Sequence, residues 1–168
     1  MNYVCATCGT SHEGVPLSFA ADFPDVYANM SVDDRQNRII LGSDQCVIDS
    51  EIFCIRGCIE IPVIGNKGPF LWGLWARIKE EDFDEIAESW TQSGRENLHG
   101  PFKGRLANRL NVYPDTLNLT LTLHVQQVGQ RPLFLIDELD HPLAVAQREG
   151  MTIKQTQELV SRLLHEPS

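Results

Sequence analysis

Residues 117–126 read Leu-Asn-Leu-Thr-Leu-Thr-Leu-His-Val-Gln. Five apolar side chains at odd positions alternate with polar ones at even positions, as a strand with one buried and one solvated face requires. The run 133–136, Leu-Phe-Leu-Ile, supplies a neighbour. Upstream, β-branched runs at 39–41, 45–48 and 52–64 are broken by Asp49-Ser50-Glu51 and Gly57, which reads as further strands. In the last of these, Phe53, Ile55, Ile59, Ile61 and Val63 share one face, and Cys54, Arg56, Cys58 and Glu60 the other. In 70–78, Phe70, Trp72, Leu74, Ala76 and Ile78 lie on one side, with Trp75 and Arg77 opposite. A Trp75–Arg77 stack could line a binding pocket.

Two longer segments carry helical spacing. Residues 80–92 start acidic, place Phe83, Ile86, Ala87 and Trp90 on one stripe, and stop at Ser93-Gly94. Thr152 and Gln155 form a capping-box signature before a stripe of Thr156, Leu159, Val160, Leu163 and Leu164. Ser31 with Asp33 and Asp34 offers the cap of a shorter helix ending near Arg38. The expected fold is α+β: a twisted, mainly antiparallel sheet carrying two main helices. No linker or repeat divides residues 1–168, which reads as a single domain. Residues 1–30 read as an irregular, zinc-knuckle-like segment packed on that sheet.

The chain has 168 residues, and its 14 Lys+Arg against 23 Asp+Glu give a formal net charge of -9. An acidic surplus disfavours nucleic acid and anionic membrane, both of which require a basic face, and favours a basic protein partner. No charged-then-apolar leader precedes Cys5 and no apolar run reaches the ~20 residues that span a bilayer, which predicts a cytoplasmic protein. Five cysteines cannot all pair, so metal ligation or burial explains them better than disulfides.

Residues 5–12 read Cys-Ala-Thr-Cys-Gly-Thr-Ser-His. Two thiolates three positions apart, turned by a glycine and followed by an imidazole, present Cys5, Cys8 and His12 to one structural zinc ion. Structural zinc takes four protein ligands, so a thiolate from Cys46, Cys54 or Cys58 should complete the set. On one extended strand Cys54 and Cys58 stand roughly 13 Å apart. Two sulfurs on one zinc cannot exceed about 4.6 Å, so at most one of that pair can be a ligand. Strand alternation favours Cys58, which takes the mixed face.

The blocks SDQCVID (43–49), IRGCIEIP (55–62), WGLWARI (72–78), YPDTLNL (113–119), RPL (131–133) and DHPLAVAQREGMT (140–152) resemble those of a bacterial family known as domain of unknown function 2199. The opening CATCGTSH is similar to that family's cysteine-histidine element. The resemblance implies Cys46 as the fourth ligand, because Cys46 falls in a typical block while the position of Cys58 also takes aliphatic residues. It also implies that Cys54 is a packing substitution. It implies no activity.

A cysteine-histidine-acid trio can be written from Cys46 or Cys58, His141, and Asp44 or Asp140. In Asp140-His141-Pro142 a rigid turn explains the histidine more simply, although both residues remain candidate binding groups. A zinc with an open position and a carboxylate base such as Glu13 or Glu60 is the other enzymatic option, a small zinc- or thiol-dependent hydrolase or transferase. No nucleotide-loop, dinucleotide, zincin or serine-hydrolase motif is present. The leading expectation is a zinc-stabilised, acidic protein that works by binding another protein. A toxin-neutralising immunity protein is one concrete form.

Overall fold

The computed structural model describes residues 2–5 and 8–165, the side chains of Asn2 and His12 excepted. In chain order the elements are β1 (Asn2–Val4), β2 (Ser11–Glu13), β3 (Ser18–Ala20), α1 (Asp25–Ala28), α2 (Val32–Arg38), β4 (Ile39–Leu41), β5 (Gln45–Ile48), β6 (Ile52–Ile61), β7 (Phe70–Ile78), α3 (Glu80–Glu88), α4 (Arg95–Leu98), β8 (Phe102–Leu106), β9 (Thr120–His124), β10 (Leu133–Ile136), α5 (Pro142–Glu149) and α6 (Ile153–His165).

The spine is the antiparallel pair β6–β7, registered from Phe53 against Ile78 to Ile61 against Phe70. Both strands are rich in β-branched and aromatic residues, and their inward positions are apolar throughout. The far edge of β7 takes β3 in parallel near one end and β8 antiparallel near the other. The far edge of β6 likewise takes β5 antiparallel and β10 in parallel. With β8–β9 and β9–β10 pairing as well, the strands β6-β7-β8-β9-β10 close into a small barrel within an eight-stranded sheet. Closure removes edges that an open sheet would expose.

Closure requires a side chain to be missing at one inward position. A Cβ on Gly57 would stand 2.4 Å from two ring carbons of Phe134 and 2.7 Å from the Pro132 carbonyl oxygen. The Phe134 ring fills the space above Gly57, and the Cys58 N–H donates to Pro132 O at 2.8 Å where β10 meets β6. Around this contact the interior is packed by Ile55, Ile59, Leu74, Leu121 and Leu123. Each such buried side chain contributes about 1.5–3 kcal/mol.

Outside the barrel, Cys46, Ile48, Cys54 and Trp75 form a second buried cluster. The indole N–H of Trp75 donates to Ala21 O at 3.1 Å. Asn108 accepts from Trp75 N–H and donates to Phe23 O and to Asp25. These bonds fasten the segment around α1 over the cluster.

Arg95 is only 1% exposed. Its guanidinium donates to the carbonyls of Trp90, Gln126, Gln127 and Gln130 and lies over the Trp90 ring, 4.9 Å from its centroid. Four carbonyl dipoles thus replace the water that the buried cation has lost.

The α+β class and the mainly antiparallel sheet agree with the sequence reading. The helices differ: the described residues contain six, not two main ones. Of these, α1 and α4 span one turn each and have no apolar periodicity to read. α5 carries Pro142 at its start and Gly150 after its end, the punctuation marks of a helix, where the sequence reading has only a rigid turn at Asp140-His141-Pro142. The capping box at α6 is present, with Thr152 N–H donating to Gln155 Oε1 and Gln155 N–H to Thr152 Oγ1. Residues 1–30 are less irregular than expected, because β1, β2, β3 and α1 lie within them. β8 was also missed, because Gly104 interrupts its apolar alternation. Among the described residues no helix is long and apolar enough to cross a membrane.

Replacing Gly57 with Ala should destabilise the fold by roughly 1–3 kcal/mol through overpacking. Thermal denaturation checks this, and a melting temperature equal to that of the parent chain would contradict the closure argument.

Candidate metal centre

β1 and β2 form a two-stranded hairpin with Tyr3 opposite His12. The connection turns tightly because Gly9 adopts a left-handed φ of 67°, which costs glycine nothing. The Gly9 N–H donates to Cys5 O at 2.9 Å, and the Cys5 N–H to Thr10 O at 3.0 Å. The turn carries Cys5 and Cys8 on one loop, the first buried and the second exposed.

The third donor comes from the opposite end of the chain. The Cys5 sulfur lies 3.1 Å from His165 Nε2 and 3.2 Å from Ser161 Oγ. Ser161 and His165 are one turn apart on α6, so both face the loop. Ligand atoms of Cys5, Cys8 and His165 all fall within 4.8 Å of one another, a spacing at which the three could hold a metal ion. Tetrahedral zinc would set sulfur and imidazole nitrogen about 3.5 Å apart, a few tenths of an ångström from the observed 3.1 Å. His165 is also the last residue of α6, where the partial negative charge of the helix end favours a cation.

The structure therefore brings Cys5 and Cys8 together and adds a residue that the sequence reading did not name. The His12 side chain lies outside the described residues. Cys46 is not part of the group. It sits on β5 directly opposite Cys54 of β6, fully buried in the cluster under Trp75. Burial pushes its thiol up to about 11 and that of Cys54 up to about 12, so neither is poised to become a thiolate. Cys58 borders a groove with Asp44, Glu60 and Arg131. Burial raises its thiol too, against the pull of Arg131.

The remaining candidates also have assigned places. His141 caps α5: its Nδ1 accepts from Leu143 N–H at 3.1 Å, so its Nε2 donates to Pro114 O. Both ring nitrogens are thereby committed to backbone. Asp140 is exposed beside it. Asp44 is paired with Arg131 at 2.6 Å; burial works against its charge, yet the hydrogen bonds from Arg131 and Ser43 hold its carboxyl below the usual range. Trp75 is fully buried and cannot line an open pocket. The cation nearest its ring face is Arg56, at 5.8 Å, whereas Arg77 is exposed.

Sequence spacing held no signal for His165, because a ligand near the far end of the chain has no fixed offset from Cys5. The one hint was helical: an imidazole four residues after a serine on the last amphipathic helix.

The chain belongs to the DUF2199 family, described as an uncharacterized protein conserved in bacteria, with residues 4–151 matched. That span includes Cys5, Cys8, His12 and Cys46 and ends before His165. No curated protein and no solved structure is matched.

Changing His165 to Ala should weaken metal binding by at least about tenfold, since even partners one shell further out are worth that much. Changing Cys46 to Ala should leave metal content intact and lower stability by about 1 kcal/mol, the usual cost of a core truncation. Elemental analysis with competitive chelator titration of both variants checks this. A loss of metal in the Cys46 variant as large as in the His165 variant would reverse the ligand assignment.

Proposed function

We propose that this protein is a zinc-clamped binding domain that acts by capturing another protein. The observation that carries the reading is the meeting of Cys5, Cys8 and His165. Two soft sulfurs and one imidazole are the donors that zinc prefers. His12 takes the fourth position in this reading, from a strand paired through its backbone to the one that leads into Cys5. A closed site of this kind is structural, fastening the amino-terminal hairpin to α6.

The capture surface in this reading is the edge strand β4. It ends the sheet order, and its Ile40 and Leu41 are 76% and 40% exposed. Arg38 O and Gly42 N bond inward to β5-side partners, so the alternating backbone groups of Ile39 and Leu41 face outward. A free edge with apolar side chains is a template for strand addition. The net charge of -9 selects a basic strand donor, and cytoplasmic neutralisation of a basic toxin by an immunity-type partner is one concrete form.

A second reading rests on a specific observation: two of the three described donors, Cys8 and His165, are exposed. An ion there with water in the fourth position would be a catalytic zinc. Hydroxamate binding to a cobalt-substituted sample, detected as a spectral change, supports this second reading, and an inert spectrum supports the closed site.

The test of the leading reading is co-purification from the native host at low salt. A stoichiometric basic partner should be recovered with the parent chain and lost when Ile40 is changed to Asp. A monomer in both samples, or a partner retained equally by both, would overturn it. Chelation of the metal should lower the melting temperature by several degrees, since a bound ion stabilises only the folded state.

A further inference from the structure

On the outer face of β7, β8 and β9 lies a groove of about 890 Å³, remote in sequence from the metal loop and lined among others by Arg77, Lys79, Lys103 and Arg105. Four of the 14 Lys+Arg of an acidic chain are thus gathered in one depression. The strand register explains how. Arg77 stands directly opposite Arg105 in the β7–β8 ladder. Lys79 lies two residues beyond the first and Lys103 two residues before the second, so all four alternate onto the same face.

Like charges placed directly across a ladder destabilise it. Of these four cations, only Lys103 has an ion-pair partner among the described residues to offset the repulsion. Among the described residues the ion pairs include neither Arg77, Lys79 nor Arg105. The guanidinium of Arg105 donates to the Asn118 carbonyl at 3.4 Å. Lys103 is held by Asp137 at 2.9 Å and by Thr122 at 2.6 Å. Glu51 and Glu80 border the groove, yet neither is ion-paired with these cations.

We propose that this groove binds the phosphoryl group of a small molecule between Arg77 and Arg105. Two arginines held directly across a ladder can offer two guanidinium forks to the several oxygens of a phosphoryl dianion, and the second negative charge balances the second arginine. A carboxylate satisfies only one fork. Phe53 and Ile78 are core-facing and only 8% and 7% exposed, and they border the cations as a small apolar rim. Apolar surface with a few convergent charges is the usual composition of a small-molecule site, and the volume is within the range of such sites. The ligand chemistry is therefore a phosphate group, free or as the ester of an organic body that lies against Phe53.

Calorimetric titration of the full chain with inorganic phosphate, phenyl phosphate and benzoate tests this. Saturable binding of a phosphate is expected, weakening as salt rises. Tighter binding of phenyl phosphate assigns the site to an ester, and equal binding assigns it to the free anion; benzoate should bind far more weakly than either. Arg77→Gln and Arg105→Gln should each weaken phosphate binding by about tenfold or more, the scale of a lost charge-assisted bidentate contact, while Lys154→Gln on α6 should not. Without ligand, each arginine variant should melt at or above the temperature of the parent chain, because a repulsion has been removed; this shows that the variants are folded. No saturable binding of either phosphate, unchanged affinity in the arginine variants, or benzoate binding as well as phenyl phosphate would overturn the proposal.

Discussion

The pairing of β6 with β7 is the constraint on which the rest of the structure depends. Each strand is longer than any other neighbour it has, so each hosts two partners on its far edge: β3 and β8 on β7, β5 and β10 on β6. Four short strands are positioned by one long ladder. The ring then closes only because position 57 lacks a side chain and the Phe134 ring fits there. Loss of that fit would open the β6–β10 seam first, since the parallel contact there is registered at a single residue pair, Leu133 with Cys58.

The periodicity of the sheet was legible because its strands obey a local rule. Leu119, Leu121, Leu123 and Val125 alternate in sequence and are buried in the core, and the odd-numbered face of β6 behaves likewise. Barrel closure was not legible, because it depends on Leu133 meeting Cys58 across a long stretch of chain, and no window of sequence contains both. α5 had correct start and stop residues but a short stripe, so its punctuation read equally well as a turn. At the metal centre the local half of the information, Cys5 and Cys8, was readable from spacing. His165 was not, since its proximity is made by the packing of α6.

The cysteines show how environment sorts a single chemistry. Cys46 and Cys54 are dry neighbours across a ladder, and burial holds both as thiols. Cys5 and Cys8 share a turn with an imidazole in reach, the setting in which a thiolate is useful. The charged groups divide in a similar way. Arg95 is interior and surrounded by carbonyls, so it acts as a fixed rivet for the 126–130 loop. Arg77 and Arg105 face solvent across a ladder and, among the described residues, take part in no ion pair.

The adjacency of Cys5 and His165 has a mechanical consequence. Between residues 5 and 165 the chain traces the whole barrel and returns to the same corner, so a metal ion held there would turn that stretch into a ring closed by coordination bonds. Tension applied between residues 5 and 165 would then fall on those bonds, and the barrel would feel no load until they parted.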